Sequence, residues 1–254
     1  MDLNFWRRLW DNNEIGFHQS NVNGLLADYF QMLSLPQNSR IFVPLCGKTQ
    51  DIAWLLSQGH RVVGVELSKL AVEQLFADLD VVPKISNRGG LLCYSAPDLD
   101  IFVGDIFVLF GDLLGRVDAT YDRAALVALP TELRRRYGTH VAAITQSMPQ
   151  FLICFEYDQA AMQGPPFSIG RKEVLEAYGA YYQIDPIANR AVAGGLKDKC
   201  PAQEVVWHLV QGPALKWART VLVGQVSAED LTGTSGFGSL QDLALMGIGL
   251  TPNV

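Results

Sequence analysis

The chain has 254 residues, 49% of them hydrophobic and 18% charged, with a formal net charge of −6. This composition supports a packed core and excludes bulk disorder, and the length suits one α/β domain or two small ones. The acidic balance and the lack of a dense Lys/Arg stripe argue against a protein that grips nucleic acid through phosphates. The single basic run, Arg134-Arg135-Arg136, reads as a solvated helix face. No apolar run reaches the ~18 residues a membrane span needs. The four cysteines, Cys46, Cys93, Cys154 and Cys200, lie far apart. They form no metal or redox pair by spacing, and with no cationic leader they fit a reducing cytoplasm.

Residues 4–35 read as helical, with Trp6, Leu9 and Trp10, then Leu25, Leu26, Tyr29, Phe30 and Leu33, at helical spacing. Asn12 to Gly16 interrupts them. Pro36 to Ser39 is a turn. A regular alternation follows. Ile41 to Leu45 reads as a buried strand, with Pro44 at its end where a missing N–H is tolerated. The spacing predicts a helix over 48–58, a strand over Arg61 to Val65, and a helix over 68–79 capped by Ser68. A Gly- and Pro-rich loop leads to a third strand at Ile101 to Val103. A fourth strand is expected at Val117 to Tyr121, a helix from Pro130 to about Ala143, and a fifth strand from Gln150 to Tyr157. A helix over 170–178 and a hairpin-like pair, Tyr182 to Ile187 and Val205 to Leu209, complete the pattern. Strand and helix in repeated alternation imply a parallel sheet covered on both faces. The last stretch, 211–254, has few charges and runs of Gly and Thr, and is expected to be an atypical extension of unknown role.

In an open parallel sheet, ligands bind beyond the carboxyl ends of the strands. The informative residues therefore follow the strands: Leu45-Cys46-Gly47-Lys48, then Glu66, then Gly104-Asp105-Ile106, then Asp122 and Arg123. A dinucleotide needs a glycine-rich cradle for its pyrophosphate. Here the first turn holds one glycine, Gly47, where the backbone can approach a ligand. Glu66 lies 21 positions after Leu45, where a carboxylate can accept both hydroxyls of a ribose. Asp105 is placed to accept from an adenine amino group, beside the backbone of Ile106. A nucleoside without phosphates, such as S-adenosyl-L-methionine, suits this pattern, while a nicotinamide-dependent oxidoreductase on the same fold stays open. Each residue also has a bland reading: a turn glycine, an exposed strand end, a turn cap. Cys46 reads as a small buried filler rather than a nucleophile.

Several stretches together resemble the thiopurine S-methyltransferase family in its bacterial form. They are Phe5-Trp6-Arg7-Arg8-Leu9-Trp10, Gly16-Phe17-His18-Gln19, Val43-Pro44-Leu45-Cys46-Gly47-Lys48, Gly59 to Ser68, Tyr121-Asp122-Arg123-Ala124-Ala125-Leu126-Val127-Ala128-Leu129-Pro130, and Gly164-Pro165-Pro166-Phe167. The resemblance covers about residues 4 to 210. It implies a class I S-adenosylmethionine-dependent methyltransferase with a Rossmann-like, mostly parallel seven-stranded sheet and helices on both faces. It implies a single domain over 1–210, whose first helical segment, about 4–35, is a lid. It also implies that Trp10, Leu45, Glu66 and Arg123 contact the cofactor, that Asp105 and Ile106 flank the adenine, and that Phe17 lies near the substrate.

On that resemblance the expected reaction moves a methyl group to a soft nucleophile on a small molecule. The acceptor would be a thiopurine-like aromatic thiol or, for the bacterial branch, a selenium or tellurium compound. Arg123 would favour a thiolate by its charge, and the loop holding Pro166 and Phe167 would help keep the site dry. His18 stands between a packing or capping role and a catalytic one. A monomer with no metal is expected. The atypical end leaves one further alternative, a family member whose altered C-terminus has disabled the site.

Overall fold

A computed structural model describes residues 3–16 and 18–212. The expectations for Phe17 and for nearly all of the stretch 211–254 lie outside the described residues.

The predicted alternation forms one sheet. Its strands are β1 (Arg40–Pro44), β2 (Arg61–Glu66), β3 (Lys84–Arg88), β4 (Leu91–Ala96), β5 (Leu99–Val103), β6 (Ala119–Arg123), β7 (Gln150–Tyr157), β8 (Tyr182–Ala191) and β9 (Ala202–Gln211). The order is β3-β4-β5-β2-β1-β6-β7-β9-β8. The five central strands, β5, β2, β1, β6 and β7, run parallel. Antiparallel pairs flank them: β3 and β4 at one edge, β9 and β8 at the other.

The sheet therefore has nine strands, not the expected seven. The two extra strands come from the stretch read as a Gly- and Pro-rich loop. Gly89 and Gly90 both have positive φ (59° and 86°) and join β3 to β4 across a two-residue turn. Glycine tolerates that conformation without cost, so Gly-Gly at a tight hairpin turn is a strand signal as well as a loop signal. β3 was hidden because it is a polar edge strand, exposed along most of its length.

The helices are α1 (Leu3–Asp11), α2 (Gly24–Tyr29), α3 (Gln50–Ser57), α4 (Lys69–Asp78), α5 (Gly111–Leu114), α6 (Thr131–Ile144) and α7 (Arg171–Tyr178). Side chains alternate across each strand, so each sheet face has its own core. On one face Leu25, Leu26, Ile52, Leu55, Val72 and Phe76 from α2, α3 and α4 meet Ile41, Val43, Val62, Tyr121 and Phe151. On the other, Tyr137, Val141, Val174 and Tyr178 from α6 and α7 meet Phe42, Val63, Val65, Phe102 and Leu152.

Local signals set the helix starts. Thr49 accepts from Asp51 N before α3, and Ser68 accepts from Ala71 N before α4. The N-terminal helical stretch is broken more widely than its periodicity suggests. α1 ends at Asp11, and α2 begins only after Asn23, whose side chain accepts from Leu25 N and Leu26 N. Arg134 departs from the solvated-face reading of its run. It is buried, donates from Nε to Leu129 O (2.9 Å), and stacks over the Phe167 ring at 5.0 Å. Arg135 and Arg136 are exposed. Among the described residues no helix is long and apolar enough to cross a membrane.

Candidate active site

The carboxyl ends of β1, β2 and β6 open into a cavity of about 690 Å³, roofed by α1 and by the chain that follows it. That size lies within the range of about 300–1,000 Å³ usual for small-molecule sites. Trp10, Leu45, Gly47, Glu66, Arg123 and Pro166 all line it.

The turn after β1 brings the backbone to this cavity. Leu45 and Gly47 have φ of 47° and 52°. A left-handed leucine costs roughly 1–2 kcal/mol, so the surrounding structure must hold it there. At Gly47 a Cβ would stand 3.1 Å from the Trp10 ring. Its φ favours glycine, and the indole would have to give by a few tenths of an ångström to admit a methyl group there. The turn folds back over β2, where Cys46 N donates to Val65 O (3.2 Å). Gly64 makes room for this, since a Cβ there would lie 3.0 Å from Cys46 Sγ. Burial, reinforced by Glu66, pushes the Cys46 thiol well up. It stays protonated near neutral pH and fills space, as its sequence context suggests.

Glu66 is the last residue of β2 and is 6% exposed. Burial raises its pKa, and backbone donors counteract that. Gly47 N donates to Oε2 and Ser68 N to Oε1, both at 2.8 Å. A carboxylate has about four acceptor positions. Two backbone donors fix the group in one orientation and leave acceptor capacity on the cavity side. This is the acceptor set that the two O–H groups of a vicinal diol need.

On the far side of β1, Arg123 ends β6 and Ala124 turns away with φ of 68°. The guanidinium is pinned from behind. Asp51, 1% exposed, accepts from Arg123 Nη1 (3.3 Å), Tyr121 Oη (2.8 Å) and Asn23 N (2.8 Å). Asn23 Nδ2 in turn donates to Glu204 on β9 (3.1 Å). Nothing in the sequence pattern marks Asp51, because an acid in the first turn of a helix reads as dipole compensation. Its neighbours Asn23, Tyr121 and Glu204 lie on other elements, and only the fold brings the four together.

The remaining candidates lie elsewhere. Asp105 and Ile106 follow β5, beside the strand of Glu66, and neither lines the cavity. Asp105 accepts from Phe107 N (3.0 Å), which is its predicted bland role, and Ile106 is buried with its carbonyl on His140 Nε2 (2.8 Å). Phe167 points away from the Pro166 side of the cavity, into a second, more open depression of about 1010 Å³ with Arg134, Glu156 and Glu173.

The sheet order and the crevice define the class: a class I S-adenosylmethionine-dependent methyltransferase fold, with a two-stranded edge hairpin added. Solved structures agree. A 1,6-didemethyltoxoflavin-N1-methyltransferase from Burkholderia thailandensis, crystallised with S-adenosylhomocysteine, superposes with a TM-score of 0.56 at 15% identity, covering 82% of this chain and 87% of that one. A TehB-like methyltransferase from Corynebacterium glutamicum superposes at 0.51 and 14% identity, covering 82% and 97%. The thiopurine S-methyltransferase (TPMT) family model matches residues 1–205. A thiopurine S-methyltransferase from Xanthobacter autotrophicus is 52% identical over 210 residues, 82% of this chain and 99% of the relative. One from Gluconobacter oxydans is 48% identical over 204 residues, 80% and 93%. The chain belongs to the thiopurine S-methyltransferase family and is an S-adenosylmethionine-dependent methyltransferase. The nicotinamide-dependent alternative is set aside.

Proposed function

We propose that the protein methylates a thiol carried by a small, largely apolar molecule, or a selenium or tellurium species of the same soft character. In this reading Glu66 holds the cofactor ribose, and Trp10, Leu45 and Gly47 hold the rest of the cofactor against β1. The acceptor occupies the part of the cavity between Arg123 and the Pro165-Pro166 loop. Of the stretch 4–35, α1 and the chain just after it serve as the lid within a single 1–210 domain, while α2 packs into a sheet-face core. Asp105 and Ile106 are assigned to the adenine, on the neighbouring strand end.

The observation that carries the reading is the position of Arg123. It is a mostly buried cation, aimed into a cavity that Trp10, Phe155 and Pro166 make largely apolar. When bound, the cofactor supplies a methyl group on a sulfonium, which is already a good leaving group. The chain's residues therefore have two tasks. Alignment of the acceptor can supply about 7–11 kcal/mol of the barrier. The second task is charge. A thiolate and a sulfonium neutralise one another as the reaction proceeds, so a dry site speeds the step. Arg123 favours the ionised acceptor without taking part in bond making.

The test incubates the protein with labelled S-adenosylmethionine and a panel of thiols, selenols, selenite and tellurite, and detects methylated products. Arg123→Ala should lower transfer to thiols most at low pH, where the thiolate needs most help. Transfer unchanged at every pH removes Arg123 from this role.

A further inference from the structure

His18 lies in the segment that joins α1 to α2, where its own N–H donates to Ile15 O (2.7 Å). The sequence leaves it between packing, capping and catalysis, and the fold narrows these. α1 has ended at Asp11, and Asn23 caps α2, so His18 caps nothing. It is only half-buried and belongs to neither sheet-face core. It lines the same cavity as Trp10, Gly47 and Arg123. Among the described residues no hydrogen bond occupies either ring nitrogen.

The charged groups facing it form two pairs. Lys48 is paired with Asp78 (3.4 Å), and Arg123 with Asp51 (3.3 Å). Burial disfavours the imidazolium most, Lys48 and Arg123 add to that, and Asp78 and Asp51 oppose it. The net displacement is downward from the ordinary 6.5. A ring in these surroundings is neutral at pH 7, with one lone pair free to accept a proton.

We propose that His18 is the general base that takes the proton from acceptor thiols not already ionised, which widens the acceptor range beyond acidic aryl thiols. This rests on the thiol-methylation reading above. The step balances. The acceptor S–H bond breaks and its proton passes to the free ring nitrogen. The sulfur lone pair forms the new S–CH3 bond, and the bond from that methyl to the cofactor sulfonium breaks, leaving a neutral thioether. The imidazolium, repelled by Lys48 and Arg123, returns its proton to water.

The experiment compares two thiols in wild-type protein and His18→Asn. 4-Nitrothiophenol is ionised well below pH 7, and benzyl mercaptan is not. The variant should lose about a hundredfold in kcat/KM on benzyl mercaptan at pH 7, and change within about threefold on 4-nitrothiophenol. Its rate on benzyl mercaptan should rise with pH as the thiol itself ionises, whereas the wild-type rate levels off earlier. Binding of S-adenosylmethionine, followed by thermal shift, should be unaltered. An equal loss on both thiols, no loss on either, or a wild type that methylates 4-nitrothiophenol alone overturns the base. A wild type that binds S-adenosylmethionine and methylates neither thiol overturns the thiol reading itself.

Discussion

Glu66 and Asp122 are two acids at the carboxyl ends of parallel strands, and both are buried, at 6% and 0% exposure. In both, burial raises the pKa. Their surroundings differ. Glu66 is held by backbone N–H groups at the mouth of the cavity. Asp122 is sealed beneath α6 and α7, where Tyr137 Oη (2.7 Å), Tyr178 Oη (3.4 Å) and Leu126 N (3.3 Å) donate to it. The pleat decides this. Asp122 points to the α6/α7 face, while Arg123, one residue on, points with Tyr121 toward Asp51 and the cavity. An acid at a strand end is therefore not by itself a site. It becomes one when its spare acceptor positions face an opening.

Removing each acid in turn should cost a different property. Asp122→Ala strands two tyrosine O–H groups and the Leu126 N–H. It should cost about 2–4 kcal/mol of stability in chemical denaturation. Calorimetric affinity of the folded protein for S-adenosylmethionine should hold. A variant that keeps its stability but loses the cofactor would put Asp122 in the site.

Glu66→Gln should do the reverse. An amide keeps one acceptor oxygen and loses the charge. Cofactor affinity should fall by about 1.5–3 kcal/mol, roughly ten- to a hundredfold in Kd, with a smaller change in stability. Unchanged affinity removes Glu66 from the cofactor site. Gly47→Ala comes next. Its Cβ would crowd the Trp10 ring, and its φ of 52° is strained for alanine. About 1–2 kcal/mol should be lost from stability, together with cofactor affinity if Trp10 is displaced. Trp10 fluorescence that does not change would show that the contact is not felt.

The same contrast explains what could be read from the sequence. The five parallel strands and most helix starts were legible because apolar runs and caps such as Ser68 are local signals. β7 was expected at Gln150 to Tyr157, where it lies. The β3–β4 hairpin was not legible, since its edge strand has no buried face and its Gly-Gly turn also reads as a loop. Glu66 and Gly47 could be singled out because the turn after β1 and the end of β2 are consecutive in a βαβ unit. Asp51, Asn23 and Glu204 could not. Asn23 and Glu204, joined by a hydrogen bond, are 181 positions apart in the chain. The ring stacking of Arg134 on Phe167, which takes Phe167 away from the cavity, is likewise a tertiary fact.

The smallest effect separates the two acids by pH. The Asp122 pKa is raised from 3.8 to about 6, with burial as the cause. A carboxyl that holds its proton more tightly when folded adds stability as pH falls through about 6, and that contribution is complete below its unfolded value of 3.8. The folded state thus binds more protons than the unfolded state in this window, so this group's share of the stability falls as pH rises. Other carboxylates titrate in the same range, so the quantity to measure is a difference. Between pH 7 and pH 5 the stability of the wild type relative to Asp122→Asn should shift in favour of the wild type by about 1 kcal/mol. A parallel pair of curves would mean that Asp122 is not sealed, and the distinction from Glu66 would narrow to the direction each side chain faces.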